Sequence, residues 1–233
     1  MAINLENQNT LLSTESEERS ILRSSRRSFL RGGGLLTAAG ATVAAAPWAL
    51  QAQTRSRATR QNFQDIQRHE NDHVAFLLAA LGSNARPKPT FQNLLQSDIR
   101  SFYDVSQDLE NTGVGAYLGA APSILSRPIL AAAGSIALIE GRHAGYLNAF
   151  LGAPITENVF GMEQSFETPL TPEQVVSLAG PFVADLNGGP PLTYSATPSA
   201  ANDVAILNFA LALEFLEAEF YNLNVPRFLG QGA

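Results

Sequence analysis

The 233-residue sequence contains no cysteine. Disulfides, zinc–thiolate sites and thiol nucleophiles are therefore excluded in any compartment. There is no long basic stretch, and the formal net charge is −6, which argues against a nucleic-acid partner. Beyond the N-terminal region, no segment reaches about eighteen uninterrupted apolar residues with unbroken helix potential, so none is read as a membrane span. Histidine is scarce, with three residues in the whole chain. What the chain does have is core material: 45% of its residues are hydrophobic and only 15% are charged, enough to bury one domain.

The N-terminus reads as an address. Arg26 and Arg27, within Ser25–Arg31, precede a Gly/Ala/Leu-rich stretch from Gly32 to Leu50. Paired arginines ahead of a weakly apolar run predict a twin-arginine (Tat) export signal, with cleavage near Ala52. The expected organisation is a signal peptide and extension over residues 1–52 and a helical domain over 53–233, with a loop-rich insertion at 153–200. The expected destination is periplasmic or extracellular.

Two of the three histidines stand in Glu-x-x-His pairs, Glu70–His73 and Glu140–His143. Residues three apart share a helix face, so each pair points a carboxylate and an imidazole the same way. Two further glutamates, Glu110 and Glu214, each precede a tyrosine by seven residues, Tyr117 and Tyr221. A Glu from each of two helices and Glu-x-x-His from each of two others is the ligand set of a dinuclear carboxylate site in a four-helix bundle.

The helical periodicity supports that arrangement. The first helix is expected over about Thr59 to Leu81, with Phe63, Ile66, Glu70, His73, Val74, Leu77 and Leu81 in one stripe. Both candidate ligands thus interrupt an apolar face, where an unpaired carboxylate costs several kcal/mol. A second helix is expected over Leu94–Ala120, weakened by Gly113 and Gly115 unless something approaches closely there. A third starts near Ser126-Arg127-Pro128, carries Glu140 and His143 on an apolar stripe, and stops at Gly152. Thr171-Pro172-Glu173-Gln174 opens a short helix through a capping box. The last helix is expected over Asn202–Asn222, with Glu214 as the preferred ligand and Glu217, one turn on, as the alternative. Glu219 and His69 are expected to face solvent. Tyr117 and Tyr221 are expected to hydrogen-bond buried acids and so orient Glu110 or Glu214.

The bland alternative is an empty bundle whose acids are neutralised by Arg68 or Arg142. Two Glu-x-x-His pairs on separate apolar stripes, with a repeated Glu–Tyr spacing, favour metal. Four carboxylates and two neutral imidazoles carry −4, which two divalent cations would cancel. Oxygen-rich ligands with two imidazoles suit iron or manganese better than structural zinc.

Segments 69–78, 108–121, 137–145 and 203–221 together resemble the ferritin-like superfamily, and more closely the exported bacterial ferritin-like proteins related to plant desiccation-related proteins. The resemblance implies an all-α, ferritin-like four-helix bundle. In that family the segment similar to 203–221 comes first, whereas here it comes last. The order therefore reads as a circular permutation, or as a terminal helix swapped within a homodimer.

The expected function is a centre of two iron ions, with manganese as the alternative, acting on O2 or peroxide. Glu70 and Glu140 would bridge or flank the metals, His73 and His143 would each ligate one, and Glu110 and Glu214 would be terminal ligands. The competing expectation is a non-enzymatic stress-related bundle with a vestigial or structural site.

Overall fold

The computed structural model describes residues 47–230. Four long helices, α1 (Pro47–Leu81), α2 (Ile99–Ala120), α3 (Arg127–Leu151) and α5 (Ala200–Leu229), form a bundle, and a short α4 (Pro172–Ala179) lies in the connection between α3 and α5. The twin-arginine motif lies outside the described residues. The expected cleavage point near Ala52 falls within α1, which starts earlier than the apolar stripe suggests. No helix among the described residues is long and apolar enough to cross a membrane.

Local chemistry sets the helix ends. Asp98 caps α2 by accepting hydrogen bonds from the Arg100 and Ser101 amides, so α2 begins at Ile99 and not at Leu94. Ser126 caps α3 with Pro128 in the first turn, and Gly152, at φ 84°, terminates it in the left-handed conformation. Thr171 and Gln174 form the expected capping box of α4. The last helix continues past Asn222 to Leu229, through Pro226. A proline inside a helix costs roughly 3 kcal/mol, but burial of Val225 and Leu229 offsets it at about 1.5–3 kcal/mol per large apolar side chain.

Cross-helix pairs define the packing. Phe63 meets Phe150 while Glu70 meets His143, so α1 and α3 run antiparallel. Glu110 meets Tyr221 and Tyr117 meets Glu214, so α2 and α5 also run antiparallel. His73 meets Glu214 and Gln67 meets Asn222, which opposes α1 to α5. Gln107 reaches Asn148 while Glu110 meets His143, which opposes α2 to α3. Because α5 packs within its own chain, closing the bundle does not require a helix from a second protomer.

Parallel α1 and α2 require the chain to travel back along the bundle between them. Residues 82–98 do so beside α5: the Arg86 amide donates to Asn208 Oδ1 at 2.6 Å, Lys88 pairs with Glu219, and the Gln96 amide donates to Asn224 Oδ1 at 3.0 Å. Strand β1 (Thr90–Phe91) pairs antiparallel with β2 (Val183–Asp185), tying the two long connections together. Two residues of strand carry too little alternation to be read from sequence. On the opposite side, the Leu170 amide donates to the Gly115 carbonyl at 2.9 Å. A Cβ on Gly119 would sit 1.9 Å from the Leu170 carbonyl oxygen. These glycines allow backbone to lie directly on α2.

The core has two apolar ends. Phe63, Phe102, Leu147, Leu216 and Phe220 fill one, and Leu77, Ala133, Ile136, Leu207 and Leu211 fill the other. Between them lies a layer of buried acids and imidazoles.

Candidate metal centre

All six sequence-predicted ligands meet in that layer. Glu70, His73, Glu140 and Glu214 offer donor atoms all within 4.8 Å of one another, and so do Glu70, Glu110, Glu140 and His143. Glu70 and Glu140 belong to both groups. The helical spacing explains the convergence: each Glu-x-x-His turns its pair inward on α1 or α3, and antiparallel packing brings the two pairs to the same height. Both histidines present Nδ1. His73 Nδ1 lies 3.1–3.2 Å from Glu70, Glu140 and Glu214, and His143 Nδ1 lies 3.0 Å from Glu70 and Glu110.

The repeated Glu–Tyr spacing has a geometric cause. Seven residues span about two helical turns, so on antiparallel α2 and α5 each tyrosine falls opposite the other helix's glutamate. Tyr117 donates to Glu214 Oε1 at 2.5 Å, and Tyr221 donates to Glu110 Oε1 at 2.6 Å. Both tyrosines are buried. Each holds one carboxylate oxygen and leaves the other for the interior.

Buried carboxylate oxygens without partners are costly, and this layer has several. Both oxygens of Glu140, and Oε1 of Glu70, accept no hydrogen bond. The nearby imidazole nitrogens are within 3.2 Å but are not aligned for hydrogen bonds. Among the described residues no arginine compensates. Arg68 pairs with Asp65 and Asp72 at the surface, and Arg142 is exposed. The bland expectation of neutralisation by Arg68 or Arg142 is therefore overturned. Orphaned buried acids beside two imidazole nitrogens fit a metal site.

The protonation pattern follows from crowding. Burial, then repulsion by Glu70 and Glu110, pushes Glu140 well above the usual carboxylate range. Burial, then Glu140 and Glu110, does the same to Glu217. Burial likewise raises Glu214, to about 7, against the pull of His73. Burial would raise Glu70 as well, but the close imidazoles of His143 and His73 bring it down to about 2. Burial opposes the charge on His143, yet Glu110 and Glu70 raise it to about 11. His73 is raised still further by Glu140, Glu214 and Glu70.

The structure adds to the reading of two residues. Glu217, the alternative to Glu214, is buried as well but stands outside both donor groups. A Cβ on Gly113 would lie 2.8 Å from Glu140 Oε2 and 3.4 Å from Glu217 Oε1. The missing side chain of Gly113 thus makes room for a fifth acid beside Glu140. The signal was present, since Glu217 lies on the same stripe one turn beyond Glu214. His69 does not simply face solvent: its Nδ1 lies 2.9 Å from Nε2 of His143. It sits beside the stripe of α1, and only the placement of α3 reveals the contact. Glu219 pairs with Lys88 and is only partly exposed.

Comparison with known proteins adds one match. A family model described as a ferritin-like domain matches residues 6–153. The matched span includes α1, α2 and α3 and ends before α5. No curated protein and no solved structure matches the chain.

Proposed function

The chain belongs to the ferritin-like domain family, and on that premise we propose that it is an exported protein holding a two-iron centre that consumes O2 or peroxide. The observation that carries the reading is the sharing of Glu70 and Glu140 between two donor groups that each add one imidazole and one further glutamate. In this reading both ions would be held by Glu70 and Glu140, one with His73 and Glu214 and the other with His143 and Glu110. Bound iron would supply the electrons for reducing O2 or peroxide; manganese in the same ligands would favour peroxide disproportionation.

The chain's own residues have defined tasks. Tyr117 and Tyr221 fix the terminal glutamates through their hydroxyls. Glu217, protonated beside Glu140, is a proton source inside the layer. The two apolar ends exclude bulk water. An apolar pocket of about 20 Å³ borders Tyr117, Ala116, Ala133 and Leu213, room for a molecule the size of water. We read the position of α5 after the matched segment as circular permutation, with Glu214 supplied by the last helix. Export rests on Arg26, Arg27 and the apolar run behind them.

Metal analysis of the purified chain tests the reading. About two iron or manganese per chain, lost in Glu70→Ala and His143→Ala, supports it. A metal-free protein whose thermal stability does not respond to Fe(II) overturns it and leaves a non-enzymatic bundle.

A further inference from the structure

We infer that the two metal positions are unequal, and that His69 makes them so by holding His143 as a ligand. This rests on the two-metal reading. The inner donor sets do not distinguish the positions. Each has Glu70, Glu140, one terminal glutamate held by a tyrosine, and one imidazole Nδ1. The difference lies one atom further out.

His143 Nε2 is 2.9 Å from His69 Nδ1. The two ring planes differ by 6°, and their centroids are 5.2 Å apart. Coplanar five-membered rings at that separation, with nitrogens facing across the gap, meet edge to edge. The contact is therefore an in-line hydrogen bond and not a face-to-face stack. His73 has no counterpart: among the described residues nothing bonds to its Nε2.

The chemistry sets the direction of the bond. When Nδ1 of His143 ligates a cation, its remaining hydrogen is on Nε2 and needs an acceptor. Nδ1 of a neutral His69 supplies one. Such an outer acceptor fixes the tautomer and ring orientation of a ligating histidine and raises its basicity, and losing it typically lowers metal affinity about 10–100-fold. His69 then carries its own hydrogen on Nε2, 3.2 Å from Arg68 Nη2. Two donors face each other there, and Arg68 is held instead by Asp65 and Asp72. His69 also lines an open pocket of about 230 Å³ with Asp65, Arg142 and Tyr146, so its side chain can be replaced without opening the core. His69 is thus a positioning residue for the Glu110–His143 position.

Titration of the metal-stripped full chain with Mn(II), followed by calorimetry, tests the inference. The wild type is expected to bind two ions. His69→Ala should weaken one binding step about 10–100-fold and leave the other within about twofold. The weakened step should be the one abolished by His143→Ala and retained in His73→Ala. His69→Asn places an amide oxygen where Nδ1 was and should restore most of the affinity. Equal weakening of both steps, no weakening of either, or rescue absent in a folded His69→Asn chain would overturn the inference while leaving the two-metal reading standing. A wild type that binds no Mn(II) and no anaerobic Fe(II) overturns both.

Discussion

Replacing Glu140 by glutamine should stabilise the metal-free protein and destroy its response to metal. In the folded, metal-free chain Glu140 is fully buried, neither oxygen accepts a hydrogen bond, and burial with Glu70 and Glu110 nearby keeps it protonated. In the unfolded chain it ionises near its ordinary 4.5. The folded state therefore binds a proton that the unfolded state has released, and stability falls as pH rises above that value. For a group that stays protonated to pH 7 the difference spans at most two and a half pH units, which at about 1.4 kcal/mol per unit sets a ceiling of about 3.5 kcal/mol. Glutamine has a similar shape and no proton to bind, so Glu140→Gln recovers up to that amount at pH 7 and almost none at pH 4.5. For a domain of this size about 3.5 kcal/mol corresponds to roughly 7–14 °C in Tm. With metal the sign reverses. The wild type gains about 2.7 kcal/mol at a hundredfold excess over Kd, and the variant gains much less because a shared ligand is gone. Thermal unfolding of both proteins at pH 4.5 and 7, with and without Mn(II), measures all eight cases. A metal-free variant less stable than wild type at pH 7, or a gain that is the same at both pH values, would refute the reasoning.

Further predictions follow from the same layer. Tyr221→Phe removes the donor to Glu110 and should cost about 1.5–3 kcal/mol in chemical denaturation with the helical spectrum unchanged; an unaltered midpoint would count against the contact. Gly113→Ala places a methyl against Glu140 and Glu217, so Mn(II) affinity should drop roughly tenfold, about 1.4 kcal/mol, while the fold survives. Gly119→Ala meets the Leu170 backbone instead and should destabilise by about 1–3 kcal/mol with no selective effect on metal. Because His73, His143 and Glu140 hold protons near neutral pH, metal binding should release roughly three protons and weaken as pH falls. Calorimetry in buffers of different ionisation enthalpy checks this, and an absence of buffer dependence would contradict it.

The helices and their inward faces were legible because apolar periodicity and capping chemistry are local. Asp98 shows the limit of that reading: the apolar residues from Leu94 suggest helix, but the aspartate side chain competes for the amides and starts α2 later. The short β1–β2 pair was invisible, since it depends on two connections distant in sequence. The six candidate ligands could be named from spacing, and the structure brings them together. The setting of Glu217 and the contact of His69 were not legible for one reason: each takes its meaning from a neighbour on another helix, Glu140 or His143. Gly113 illustrates the same point, since sequence shows a weakened helix and only packing shows the acids that fill the gap.

The two-metal reading is tested most directly by anomalous scattering at the iron and manganese edges from crystals of the metal-loaded protein. The account predicts two peaks between Glu70 and Glu140, one bonded to Nδ1 of His73 and the other to Nδ1 of His143. Crystals grown with excess Fe(II) or Mn(II) that show no peak in this layer, or a single ion bonded elsewhere on the chain, would contradict it.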